Sequence, residues 1–336
     1  MRYPWANTAL LVILLLQLVT GYLGFVNGEE AHAWLLWLHG AGAYALVLLL
    51  LWKGMIIWEV LARGGRWRLE RIAFIVLTVM LLITLLLGIL WTFGGLEYLF
   101  GFSLLSLHIY VAIPLIVLLA YHVWRRRWIL RAPKATNRRA FLRLGLVAAG
   151  GAVLLWLAEQ VNRVRRFTGS YEVGSFGGRF PRVSWINDDP APIARAQWRL
   201  QIEGLVTRPL VLSYDQLRRR AAVSQTETVD CTGGWYSTQI WDGFSLAALL
   251  AEVQPSEDAR SIRVESVTGY WRRFALEEIG DYLLATHVAE RPLSHGHGFP
   301  LRLVAPNKRG FEWVKWITRI TVEATPAYWQ PPLPLQ

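Results

Sequence analysis

Residues 72–93 read IAFIVLTVMLLITLLLGILWTF, twenty-two positions without a charged side chain. At 1.5 Å per residue this run spans about 30 Å as a helix, the thickness of a bilayer's hydrocarbon core. Three further runs, Thr8 to Val26, Trp34 to Trp52 and Ser103 to Trp124, are of similar length and contain no Asp, Glu, Lys or Arg. A signal peptide does not account for the first, because no small-residue cleavage pattern follows it and more apolar runs come after it. The pattern predicts four membrane-spanning helices.

Composition agrees. The chain has 336 residues, 54% apolar, 18% charged, with 18 tryptophans. That balance excludes disorder, collagen and coiled coil, and leaves room for two domains. A net charge of +11 raises nucleic acid as a partner. The basic residues, however, sit in loops beside the apolar runs, where membrane topology puts them, so nucleic acid is not expected. The single cysteine excludes an internal disulfide, a four-cysteine zinc site and an iron–sulfur cluster held by this chain's own thiolates.

Loop charge fixes an expected orientation. Lys53, Arg63, Arg66, Arg68 and Arg71 separate the second and third runs, and Arg125, Arg126, Arg127, Arg131 and Lys134 follow the fourth. The other two loops hold Glu29, Glu30 and Glu97. Basic loops remain in the cytoplasm, which puts the N-terminus inside. A fifth, shorter apolar stretch, Leu144 to Leu157, follows Asn137-Arg138-Arg139-Ala140-Phe141-Leu142-Arg143. The run is similar to a twin-arginine export signal, and it equally satisfies an ordinary positive-inside anchor. No Ala-x-Ala site follows, so the stretch is expected to remain as a fifth helix crossing outward. The expected organisation is a membrane unit over 1–136, the twin-arginine-like segment with the fifth helix over 137–165, and an α+β domain over 166–336 outside the cytoplasm. The last is inferred from short β-prone stretches (Trp198 to Ile202, Ser261 to Val267, Pro300 to Val304, Ile317 to Val322) among Gly/Pro turns, with a helical piece at Ser245 to Glu252.

Histidines mark the membrane half. His108 and His122 are fourteen residues apart in one run, hence on one helix face and about 21 Å apart along the axis. His39 lies at roughly the depth of His108 on a neighbouring helix. Imidazoles from two facing helices can hold a haem iron between them, and ionisable residues inside a membrane point to function. His39 and His108 are the expected ligands of one haem on the outer side. His122, a candidate ligand of a second haem, also lies at the solvated cytoplasmic edge. His32, seven residues before His39, is as consistent with a hydrogen-bonding or quinone-site role as with none. Leu38-His39-Gly40 together with His108 and His122 resembles the four-helix cytochrome b family of nickel–iron hydrogenases and formate dehydrogenases. That resemblance implies haem b and exchange with quinone. It departs at Arg2-Tyr3-Pro4-Trp5, where Pro4 replaces a histidine usual in that family.

In the C-terminal half, Asp230-Cys231-Thr232-Gly233-Gly234-Trp235 puts the only thiol at a strand end before a glycine turn, where backbone approaches a large ligand closely. A thiolate suits a transition metal, although a buried inert cysteine is common. His295-Gly296-His297-Gly298-Phe299-Pro300-Leu301-Arg302, Pro306 to Gly310 and Trp313-Val314-Lys315-Trp316 supply donors for a phosphate and a polar heterocycle. Zinc is not expected, since one thiol and two adjacent imidazoles fall short of a ligand set.

Together these runs, spanning Phe180 to Val322, resemble the sulfite-oxidase-fold molybdopterin domain. The resemblance implies molybdenum held by the pterin dithiolene and Cys231, with cofactor contacts from His297, Arg302, Trp313, Val314, Lys315 and, more weakly, Ser266. The methionine-sulfoxide-reductase branch of that family has Asn at the His297 position. Tyr270 falls where sulfite oxidases keep an active-site tyrosine, and Arg272 and Arg273 beside it are expected to orient substrate. Thr-Gly-Gly-Trp after the cysteine departs from the Gly-Asn-Arg type of run of sulfite oxidases. The resulting expectation is a multi-pass protein of the cytoplasmic membrane, in which a bundle of four helices plus an anchor helix precedes the molybdopterin domain. It would transfer an oxygen atom to or from a small substrate and exchange electrons with quinone through haem b, in the manner of a sulfoxide reductase. Two other readings stand beside it: a sulfite or related oxyanion dehydrogenase, and a membrane-anchored binding module that has lost its metal.

Overall fold

The computed structural model describes residues 4–62, 69–126, 138–161, 165–184 and 188–333. Arg63, Arg66, Arg68, Arg127, Arg131 and Lys134, on which much of the orientation argument rests, lie outside these residues, as do the side chains of Lys53 and Arg126. The chain divides into two compact units, Met1–Phe25 with Glu30–Tyr171, and Val26–Glu29 with Glu172–Gln336.

The first unit is helical. Helices α1 (Pro4–Val26), α2 (Ala33–Ala62), α3 (Leu69–Gly94), α4 (Leu104–Arg126) and α5 (Arg138–Val161) cover the apolar runs. All five are long and apolar enough to cross a membrane. Leu14, Leu46, Leu81, Leu115 and Leu119 form one buried cluster, so the first four helices share a core. The outward positions are apolar too, with Leu51 and Val117 exposed at 72% and 66%. Such a surface suits lipid rather than water.

Helix α5 is longer than its apolar stretch predicted. It starts at Arg138 and includes the arginine pair in its first turn, because nothing between Ala140 and Arg143 breaks a helix. Its small residues serve packing. A Cβ on Gly151 would stand 2.4 Å from the Ala41 carbonyl oxygen, and one on Gly150 would meet Leu48 at 2.8 Å. Glycine at these positions lets α2 and α5 approach backbone to backbone.

The second unit holds two sheets. One pairs β3 (Val223–Asp230) with β4 (Trp235–Ser245), β4 with β7 (Leu283–Val288), and β7 with β8 (Arg302–Val304), all antiparallel. The other has the order β2 (Leu210–Ser213), β1 (Arg199–Gly204), β9 (Ile317–Glu323), β5 (Ser261–Ser266), β6 (Trp271–Ala275). In it β9 runs parallel to β1 and antiparallel to β5. Side chains along β4 alternate between buried and partly exposed for most of its length, the period-2 signature of a strand with one face on the core. Gly243 is obligatory there, because a Cβ would sit 2.1 Å from the Leu284 carbonyl oxygen, next to the register shift at Ala285/His287. Helix α6 (Leu246–Val253) buries Leu246, Leu249, Leu250 and Val253, and Ser245 caps it by accepting from the Ala248 N–H.

Candidate functional site

Strand β3 ends at Asp230, and a tight turn carries the chain from Cys231 into β4. The Cys231 N–H donates to the Trp235 carbonyl at 2.8 Å and the Gly234 N–H to the Cys231 carbonyl at 3.0 Å. Gly234 takes a positive φ of 94° to close the turn. The Gly233 N–H points at the sulfur, 3.3 Å away. Under the turn lies a buried ion pair: Arg309 Nη1 donates to Asp230 Oδ1 at 2.6 Å and Nη2 to the Cys231 carbonyl at 3.3 Å. Gly310 completes the support, since a Cβ there would stand 3.1 Å from Cys231 Cα. Burial pushes the Cys231 thiol up, while the Gly233 N–H, Arg309 and Arg302 pull it back toward thiolate.

One pocket gathers most of the expected residues. Cys231, Tyr270, His297, Arg302, Trp313, Val314 and Lys315 line it together. The Arg302 guanidinium lies over the rings of Trp241 and Trp313, 5.3 and 5.6 Å from their centroids. Its Nη1 donates to the His297 carbonyl at 3.2 Å, and its Nε is buried without a partner among the described residues. Burial lowers its pKa to about 10. Lys315 Nζ donates to the carbonyls of Val183 and Gly296 and to Ser184 Oγ at 3.1 to 3.3 Å. Burial first, and Arg302 second, bring Lys315 down to about 8. Among the described residues both cations lack a carboxylate partner at contact distance, and an orphaned guanidinium N–H in a pocket is what a phosphate or an anionic heterocycle satisfies. These residues fit a molybdopterin.

His297 plays a narrower part than expected. Its Nε2–H donates to the Phe180 carbonyl at 3.0 Å, its Nδ1 stands 3.1 Å from Ser294 Oγ, and the ring stacks on Phe180 at 4.1 Å. Burial holds its pKa at about 4, so the ring is neutral at pH 7. Both ring nitrogens are thus engaged by protein, and its carbonyl holds Arg302. Tyr270 Oη donates to the Phe311 carbonyl, and burial pushes the phenol upward. Ser266 is not among the lining residues. Its N–H donates to the Tyr270 carbonyl at 2.8 Å and its Oγ accepts from Thr268, so it shapes the turn that carries Tyr270.

The expectation for Arg272 and Arg273 needs correction. Arg273 is tied to Glu323 at 2.6 Å and to the Trp329 carbonyl. Arg272 donates to the Pro331 carbonyl at 2.9 Å and lies over the Phe311 ring. Neither lines the pocket. Their alternation along β6 does not reveal that β9 and the C-terminal segment supply acceptors. Sequence reasoning assigned no role to Trp235, to the Asp230–Arg309 pair, or to Phe180–Ser184 and Asp188, which also line the pocket. Arg309 stood in a quoted run, but its partner is 79 residues away.

In the helical unit, His39 on α2 and His108 on α4 face each other, with ring centroids 6.1 Å apart and planes at 82°. His39 Nδ1 lies 3.1 Å from the Gln17 carbonyl oxygen and His108 Nδ1 2.8 Å from that of Thr84. A carbonyl only accepts, so each Nδ1 carries the proton and each Nε2 keeps its lone pair. Glycines make room behind both rings: a Cβ on Gly21 would be 2.8 Å from His39 Cε1, and one on Gly88 3.3 Å from His108 Cε1. His122 lies near Phe74, with centroids 6.0 Å apart.

Comparison with known proteins agrees with the pocket. Residues 188–329 match the family described as oxidoreductase molybdopterin binding domain. The chain is 30% identical over 177 residues to the protein-methionine-sulfoxide reductase catalytic subunit MsrP of Gluconobacter oxydans, covering 47% of this chain and 55% of that one. It is 28% identical over 156 residues to the uncharacterized oxidoreductase YuiH of Bacillus subtilis, covering 45% and 78%. Among solved structures, the sulfane dehydrogenase SoxCD of Paracoccus pantotrophus aligns with 27% identity over 40% of each chain, with a TM-score of 0.39. The chain thus spans about half the length of the MsrP relative. Among the described residues five long apolar helices precede a mixed α/β unit, and residues 188–329 of that unit are a molybdopterin-binding oxidoreductase domain of the sulfite-oxidase fold.

Proposed function

We propose that this chain is a membrane-anchored molybdenum enzyme that draws electrons from quinol through haem b and reduces a small sulfoxide outside the cytoplasm. The observation that carries the reading is the His39–His108 pair. Two metal–imidazole bonds of about 2 Å each, plus the reach from each nitrogen to its ring centre, amount to roughly the separation of these rings. Each ring is held by a backbone carbonyl at Nδ1 and backed by a glycine, which fixes its direction and leaves Nε2 as the donor. Such an arrangement fits a haem iron held between them. His122 is the candidate ligand of a second haem, and one haem, between His39 and His108, is the favoured number.

When bound, the molybdenum pterin supplies two-electron oxygen-atom exchange, and haem b supplies the one-electron steps that connect it to quinol. The sulfoxide takes two electrons and two protons, leaving sulfide and water, while quinol gives up both electrons and becomes quinone. Cys231 provides the thiolate ligand, and the Gly233 N–H and the Arg309 guanidinium stabilise its charge. Arg302, Lys315, Trp313 and Val314 hold the cofactor's anionic and aromatic parts, with His297 positioning Arg302. Tyr270, protonated across the physiological range, borders the space beside the sulfur.

A neutral substrate is favoured over an oxyanion because Arg302 and Lys315 are given to the cofactor, Arg309 is matched by Asp230, and Arg272 and Arg273 are engaged elsewhere, which leaves Arg182 as the remaining cation in the lining. The charge of the loops and the Arg138-Arg139 run support an outward-facing C-terminal domain, exported by a twin-arginine route or inserted by its anchor helix. The test is turnover of purified protein with quinol and sulfoxide, and with quinone and sulfite. Sulfide formation with the first pair supports the reading; sulfite oxidation alone replaces it with the dehydrogenase.

A further inference from the structure

Trp235 closes the turn that begins at Cys231, and its side chain is 3% exposed. Its indole Nε1–H is buried without a hydrogen-bond partner among the described residues. Leaving such a donor unmet is costly, unless something outside the protein accepts from it. The position of that donor is well defined. The point where a Gly233 Cβ would stand is 3.5 Å from Cys231 Sγ and 3.9 Å from Trp235 Nε1, so sulfur and donor border the same small space. The absence of a side chain at Gly233 keeps that space open. Phe180, Val229 and Phe311 share the lining with Trp235 and Cys231, and the Phe180 ring lies 6.0 Å from the indole. Tyr270 does not offer a second free donor, since its hydroxyl hydrogen is committed to the Phe311 carbonyl.

We propose that the Trp235 indole N–H is the specificity-determining donor that seats the oxygen of a neutral, strongly polarised acceptor, an S=O group, beside Cys231, with the aromatic and aliphatic wall covering the carbons. One neutral donor beside the sulfur, walled by Phe180, Val229 and Phe311, suits one neutral acceptor; an oxyanion would bring a charge that this donor leaves unbalanced. The assignment rests on the sulfoxide reading above and adds the residue that selects the substrate.

The probe is dimethyl sulfone, which presents the same neutral acceptor and is not the reducible substrate. Its binding to the oxidised, molybdenum-loaded full chain is measured by calorimetry for wild type, Trp235→Phe and Trp235→His. The expected result is about tenfold weaker binding for Trp235→Phe, partial recovery in Trp235→His, which restores a ring N–H, and a rise in KM for sulfoxide larger than the fall in kcat. Unchanged sulfone affinity in Trp235→Phe overturns the proposal even if sulfoxide reduction persists. Conversely, Trp235-dependent sulfone binding in a chain that reduces no sulfoxide keeps the donor and removes the reaction. Should Trp235→Phe fail to load metal, wild-type binding of sulfone against sulfate decides: tighter sulfone supports the proposal, and tighter sulfate overturns it.

Discussion

On the proposed reading, the Cys231 turn and the His39–His108 pair solve one problem, aiming a soft or borderline donor at a metal, with different materials. Around Cys231 the orienting groups are charged and matched in pairs, Arg309 with Asp230 beneath the turn, and unmatched cations face the pocket. Around the histidines the groups that aim the rings are backbone carbonyls of neighbouring helices, those of Gln17 and Thr84. In a helical unit suited to lipid, a carbonyl supplies direction without the desolvation cost of an ion. Where an anionic cofactor is to be received, the cost of burying cations is recovered when the anion arrives.

The largest expected effect breaks the Cys231 side. Cys231→Ser loses turnover by at least about a thousandfold, because oxygen is the poorer donor to this metal, while pterin content measured on the purified variant stays near wild type. Breaking the other side, His108→Ala releases the haem, read as haemochrome per protein. It abolishes quinol-linked reduction but spares reduction driven by an artificial one-electron donor.

The matched pair sharpens the contrast through stability. Asp230→Asn leaves Arg309 buried without its counter-charge and lowers unfolding free energy by about 3–5 kcal/mol, measured by denaturant titration. The unmatched cation does so through pH. Lys315 loses its proton near pH 8 instead of near 10.5. Its charge is therefore largely present at pH 7 and disappears as pH rises through 8, so affinity for the anionic cofactor falls above that value. Lys315→Arg keeps the charge, and the decline in cofactor retention between pH 7 and 9.5 flattens. The smallest effect lies away from both sites. Ser245→Ala removes the cap of α6 and costs about 1 kcal/mol, visible as a small shift in Tm without loss of molybdenum.

Much of this was legible in the residues themselves. Uncharged runs of bilayer length announce helices wherever they occur, and Leu246, Leu249, Leu250 and Val253 announce their own helix by spacing. The thiol before a glycine turn and the His-Gly-His to Lys315 region pointed to the pocket through their resemblance to the molybdopterin family, since the thiol by itself suits a buried inert cysteine as well. Partners distant in sequence were not legible. Arg273 looked available until Glu323, fifty residues on, was seen to hold it. Trp235 carried no role in the sequence, because whether an indole N–H meets an acceptor depends on packing, and among the described residues this one meets none. Helix α5 began six residues earlier than its apolar stretch because a helix end depends on backbone hydrogen bonding, while hydropathy reports only the solvent a face prefers.

On the proposed function the Cys231 pocket and the histidine pair serve one electron path. It is tested by reducing the haem of the purified full chain anaerobically with quinol, adding a sulfoxide, and following the haem absorption. Wild type should return to the oxidised spectrum with one sulfide formed for every two electrons, and Cys231→Ser should stay reduced. Reoxidation at the same rate in Cys231→Ser, or none in a wild type that holds both haem and molybdenum, would contradict it.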